Sequence, residues 1–210
     1  MLKSLQFRVD KWRCRQVVAA HTERGLPKVY HYHVMKTGGT SMNQAFMQLA
    51  GDQDEVYQSI IQHPELLYYN KDFVITWGKW EIESGLFTYA FSHMPKWQIN
   101  VPEDVFTFTC LRDPFSRLKS RYNQLKWTAN SQFRGMMEEK FPRHAEWVED
   151  DFLGFVEQME AQQRTHQLYL FSEDYDPKAA FESASQVDYF YFLENVNEGF
   201  TFLENVSQLP

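Results

Sequence analysis

One short run constrains this chain more than any other: VYHYHVMKTGGTSMNQAF, residues 29–46. It opens with the β-prone residues Val29 to Val34 and breaks at Lys36-Thr37-Gly38-Gly39-Thr40-Ser41. It then resumes with helix formers through Met42, Gln44, Ala45, Phe46, Met47 and Leu49. Strand, glycine turn and helix, in that order, aim backbone N–H groups at one point ahead of the helix. Those unpaired donors and the positive end of the helix dipole make that point an anion site. Gly38 and Gly39 let the main chain approach an oxyanion with no Cβ in the way. Thr40 and Ser41 add hydroxyl donors, and Lys36 adds a mobile positive charge. The layout predicts a cradle for phosphate or sulfate. It departs from the G-x-x-x-x-G-K-[ST] loop of triphosphate hydrolases, because Lys36 precedes the glycines instead of following them. A bare Gly-Gly is more often an ordinary turn, so a second anion signature has to decide.

At 210 residues the chain can form one α/β domain, residues 1–210, with a sizeable core and a lead-in segment at 1–28. Apolar residues make up 43% and aromatics 17%, a globular composition. The net charge of −7 gives no global basic field to hold nucleic acid or an anionic membrane, so any anion must be gripped by local charge. Cys14 and Cys110 are too few and too far apart for a disulfide framework or a zinc site, which points to a reducing, cytoplasmic setting. The N-terminus is basic, but its longest apolar run is Val17 to Ala20. It predicts neither a signal peptide nor a membrane span.

Along the chain, residues 1–28 read as one strand or short helix ended by Gly25 and Pro27. Gly51 is placed to cap the helix after the cradle. Residues 52–70 read as helical, with Val56, Ile60 and Ile61 apolar and a break at Pro64. Strands are predicted at 73–77, 86–91, 105–111 and 187–193. Asp113-Pro114, Asp150 or Asp151, and Asp176-Pro177 are helix starts, an N-cap followed in two cases by proline. Phe115, Leu118, Tyr122 and Leu125 supply an apolar face to the first of these helices, Phe152, Phe155, Val156 and Met159 to the second. A last helix covers 198–206. Strands alternating with helices predict a mostly parallel sheet with helices on its faces.

The second signature is Arg112, at the end of the 105–111 strand and just before a helix. A nucleotide hydrolase often carries a carboxylate there for Mg²⁺. An arginine suits direct grip on a phosphate. The next helix carries Arg117, Lys119, Ser120, Arg121 and Lys126, a basic patch on an acidic chain, with Ser120 about two helical turns beyond Arg112.

Together the two stretches resemble the carbohydrate sulfotransferases related to heparan sulfate 2-O-sulfotransferase, which use 3′-phosphoadenosine 5′-phosphosulfate (PAPS). His33 to Ser41 is similar to that family's 5′-phosphosulfate loop, H-x-x-K-T-G-G-T-S. Leu111 to Tyr122 is similar to its 3′-phosphate motif, L-R-D-P-x-x-R-L-x-S-x-Y, and Phe192 to Val196 to a late strand–helix segment. The resemblance implies a P-loop-like three-layer α/β/α fold around a mostly parallel sheet. It implies that Thr37, Gly38, Gly39, Thr40 and Ser41 hold the 5′-phosphosulfate, and that Arg112 and Ser120 hold the 3′-phosphate. Lys36 would stand beside the bridging oxygen, where negative charge develops, and PAP would be the product. The acceptor would be a hydroxyl compound, most readily a carbohydrate, with no metal required.

That hydroxyl needs a base. His93 is the candidate, since imidazole titrates near neutral pH and resembles a histidine at a similar place in the 2-O-sulfotransferase branch. Glu81 or Glu83 is the competing choice. His31 and His33 alternate on one strand face and read as packing residues, since no third metal ligand accompanies them. Two other readings stay open here: a P-loop kinase or nucleotide hydrolase, and a binding module without chemistry.

Overall fold

A computed structural model describes residues 2–50, 68–140, 142–147 and 151–207. Its first strand, β1 (Lys28–Tyr32), is buried along its whole length. Burial on both faces demands apolar neighbours on both faces, and the period of two along a strand sorts them. Tyr30, Tyr32 and Val34 enter one core cluster. Val29 enters the other, where His31 stacks on Phe108 with ring centroids 4.4 Å apart.

The remaining strands are β2 (Tyr68–Tyr69), β3 (Val74–Thr76), β4 (Tyr89–Ser92), β5 (Val105–Leu111) and β6 (Tyr189–Phe192). Their order is β2-β3-β4-β1-β5-β6, parallel from β3 to β6 with β2 antiparallel at the edge. The chain therefore leaves β1 with β4 on one side and β5 on the other. In open α/β sheets a crevice forms outside the carboxyl ends of strands at such a switch point.

Helices cover both faces. They are α1 (Leu2–Glu23), α2 (Gly39–Ala50), α3 (Lys79–Glu83), α4 (Pro114–Ala129), α5 (Arg134–Lys140), α6 (Pro142–Trp147), α7 (Phe152–Gln158), α8 (Ala161–Arg164), α9 (His166–Tyr169), α10 (Pro177–Ala184) and α11 (Val196–Ser207). Met42, Phe46 and Met47 of α2 and Leu203 of α11 pack on one face of the sheet. Ile82 of α3 and Ala180 and Ala184 of α10 pack on the other, with Leu170 and Phe171 from the end of α9. The result is the three-layer α/β/α architecture. Leu125, Met137, Trp147, Phe155 and Met159 form a separate helical cluster.

Three local expectations are corrected. Where one strand or short helix was expected in the lead-in, Leu2–Glu23 forms the long α1, whose Cys14 joins Val74 and Leu86, with Val17 and Val18 packed alongside. No Gly or Pro interrupts it before Gly25, which ends it at φ 75°. There Leu26 N–H reaches His21 O and Gly25 N–H reaches Thr22 O, a Schellman closure. Tyr68–Tyr69, expected in a helix, pairs with β3 instead. Phe115 is 62% exposed and leaves the apolar face of α4 to Leu118, Tyr122 and Leu125. The expected features at Gly51, Val56, Ile60, Ile61 and Pro64 lie outside the described residues. Asp113, Asp151 and Asp176 cap their helices by accepting from Ser116, Gly154 and Ala179 N–H.

The buried histidines carry a stability consequence. Burial pushes the pKa of His31 down to about 3, against a hydrogen bond to Asn43 that raises it. Burial, then the neighbouring His93, Arg117 and Arg121, pushes His166 down to about 3. Below pH 6.5 the unfolded chain binds these protons and the folded chain does not. Stability is therefore full above 6.5 and falls as pH drops toward 3, by about 1.4 kcal/mol per pH unit per histidine. A melting series from pH 7 to 5 should show Tm falling by about 5–10 °C per unit once below 6.5, and less steeply in His31→Gln. A flat Tm over that range would contradict it.

Candidate active site

The crevice at the strand ends collects each loop the sequence singled out. β1 runs into His33 and the Lys36 turn, β4 into His93, β5 into Arg112 and β6 into Leu193. The sheet register makes this geometry. Tyr32 pairs with both Ser92 and Thr109, so the residues that follow emerge side by side. The rings of His33 and His93 lie 4.5 Å apart.

These loops enclose a cleft of about 360 Å³. Lys36, Gly38, Gly39, Thr40, His93, Arg112 and Ser120 line it, all singled out in the sequence. Lys36 takes φ 70°, a left-handed conformation rare for a residue with a Cβ. Its carbonyl accepts from an Arg112 Nη at 3.3 Å, which ties the two anion motifs directly together. Gly38 sits at φ 81°. A Cβ on Gly39 would lie 2.0 Å from the His33 ring, so only glycine lets the helix start so close to β1. α2 has no acidic residue in its first turn to neutralise the dipole.

Two of the predicted hydroxyls are placed differently. Thr37 is buried and its hydroxyl donates to Val34 O at 2.9 Å, closing the turn. Ser41 is exposed and outside the cleft lining. Glu81 and Glu83 do not line this cleft. Glu81 pairs with Lys11 at 3.4 Å, and Glu83 accepts from Asn100 N–H at 3.2 Å. Arg117 is buried beneath α4, donating to the carbonyls of Gln163 and Arg164, and is no part of an exposed patch.

The structure adds residues that sequence reasoning passed over. Arg121, read only as one of several basic residues on α4, lines the cleft with His33, Met35, Gln124 and Leu193. Its Nε is buried with no hydrogen-bond partner. Gln167 clamps the Arg112 peptide, accepting from its N–H at 2.7 Å and donating to its carbonyl at 2.9 Å. Leu193 packs against Gly38, and Glu194 accepts from Asp113 N–H at 3.1 Å. Their run, Phe192 to Val196, was the weakest of the three sequence signals.

Charge decides what such a cleft can hold. Lys36, Arg112 and Arg121 converge, and among the described residues none of them has a carboxylate partner and no acidic side chain lines the cleft. Burial lowers the pKa of Lys36, and repulsion from Arg121 and Arg112 lowers it further. Burial lowers Arg121 as well. Three mutually repelling cations and an orphaned donor are the complement of a multiply charged anion.

A family model described as "Sulfotransferase family" matches residues 25–180, from just before β1 to the middle of α10. The chain belongs to the sulfotransferase family. None of the curated proteins and none of the solved structures compared matches it. The sulfotransferase match covers the cradle, His93, Arg112 and Ser120, and leaves α1 and the β6–α11 segment outside. No helix of the described residues is long and apolar enough to cross a membrane.

In this sulfotransferase His93 lines the cleft beside His33. Its Nδ1 lies 2.6 Å from His33 O. A carbonyl only accepts, so Nδ1 carries the proton and Nε2 keeps its lone pair. The ring is open to the cleft on one side, with His33 and His166 packed against it. Partial desolvation holds its pKa below the usual imidazole value, with Arg121 pushing the same way against the His33 hydrogen bond.

Proposed function

We propose that this sulfotransferase moves a sulfuryl group from PAPS to a hydroxyl, most readily on a carbohydrate. The observation that supports this reading best is the convergence of Lys36, Arg112 and Arg121, without a carboxylate, on one cleft. Arg112, Arg121 and Ser120 would hold the 3′-phosphate end. The N–H groups opening α2, the Thr40 hydroxyl and Lys36 would hold the phosphosulfate end. The donor supplies a sulfuryl group already activated by a phosphate leaving group. His93 Nε2 takes the acceptor's proton as its oxygen forms the new O–S bond. The electron pair of the broken S–O bond goes to the departing phosphate, and Lys36 stabilises that charge.

A magnesium-dependent kinase fits less well. It wants a carboxylate at the β5 end, and Arg112 stands there. Thermal shift separates the two readings. PAP at a hundredfold excess over its Kd should stabilise by about 2.7 kcal/mol, or about 5–10 °C, and AMP at equal concentration far less. ATP–Mg²⁺ or AMP matching PAP would overturn the donor assignment.

A further inference from the structure

Beside the anion cleft lies a second one of about 540 Å³, and among the described residues His93 is the one that lines both. On the far side of His93 the character of the walls changes. Trp77 and Phe91, with ring centroids 6.2 Å apart, leave the ends of β3 and β4, and Tyr169 closes α9 opposite them. Met94 and Pro95 extend the apolar surface. Gln98 and Gln162 offer amides at exposed positions, and among the described residues Lys79 is the single charge on this lining. Even that charge is partly offset, since Glu83 lies 3.8 Å away one helical turn along.

We propose that this second cleft seats the acceptor, and that the acceptor is a neutral hydroxyl compound with an apolar ring or chain beside the hydroxyl. The inference rests on the sulfuryl-transfer reading above and narrows it. A polyanionic polysaccharide needs several cations along its path, because each exposed ion pair is weak and screened by salt. The anion cleft concentrates three cations; its neighbour has one, on a chain of net charge −7. Flat aromatic walls with a few amides instead match an apolar face with hydroxyls at its rim. Sharing His93 puts the hydroxyl of such a molecule against the base and the donor's sulfur on the other side, as in-line transfer requires.

The test uses the full chain with labelled PAPS and three acceptor groups: phenyl and octyl glycosides, the corresponding free sugars, and uronate polysaccharides. The glycosides should be sulfated with KM about tenfold below the free sugars, and the polysaccharides should stay unlabelled. Trp77→Ala should raise the glycoside KM about tenfold, with PAP affinity by calorimetry unchanged, and Trp77→Phe should restore most of it. Preference for a polysaccharide, equal KM for glycoside and free sugar, or an unchanged KM in Trp77→Ala would overturn the proposal. So would PAP binding with normal heat while no neutral acceptor is sulfated. No heat with PAP would remove the donor reading, and this inference with it.

Discussion

Lys36→Met is expected to lower turnover by about 10²–10³ while leaving folding close to wild type and costing donor affinity far less. Methionine keeps the length and apolar stem of lysine and removes only the charge. Lys36 stands where the cradle meets Arg112, and its carbonyl, not its side chain, ties the two motifs together. That tie survives the substitution. The side chain is partly desolvated and repelled by Arg121 and Arg112, so its charge does not support the fold. Removing it should leave Tm unchanged or slightly raised. The expected pattern is therefore a large loss in kcat with a much smaller change in PAPS binding, the mark of an interaction made mainly as charge develops on the leaving phosphate. A variant that transfers sulfuryl at near the wild-type rate would end this assignment.

His93→Ala is the second large effect, a loss of about 10²–10⁴ in kcat/KM. The base works unprotonated, so activity is full above its pKa and declines as pH falls through it. Because His93 is held below the usual imidazole value, kcat/KM should be flat across pH 7–8 and decline only below the ordinary imidazole range. With the anionic donor bound, the imidazolium is favoured, so the limb in kcat should lie at higher pH than the limb in kcat/KM. Both limbs should disappear in His93→Ala and persist in Glu83→Ala, since Glu83 is engaged with Asn100 and lines neither cleft. An acid limb that survives in His93→Ala would pass the role to another group.

Much of the fold was legible because its signals are local. β5 was read to the residue, since β-branched and aromatic positions fill 105–109 and Arg112-Asp113-Pro114 closes the run. The aspartate caps of α4, α7 and α10 were legible for the same reason: one side chain satisfies donors two or three residues away. α1 is not legible because its apolar and charged residues are intermixed with no clear helical stripe, and its helical state shows once Val74 of β3 and Leu86 pack on Cys14. Tyr68 and Tyr69 form a strand because the β3 edge is there to pair with.

The same division runs through the site. Sequence by itself determined the two anion motifs, because a glycine turn before a helix and an arginine before a capped helix dictate their own backbone geometry within a few residues. It also singled out Lys36, Arg112, Ser120 and His93. Only the tertiary structure decided that these face one cleft, that Thr37 and Ser41 turn elsewhere, and that Arg121 joins the cations while Arg117 is buried. It alone brought in Gln167 and joined the second cleft at His93. The physical reason is the parallel sheet: strands distant in sequence end side by side, and no spacing along the chain encodes which ends become neighbours.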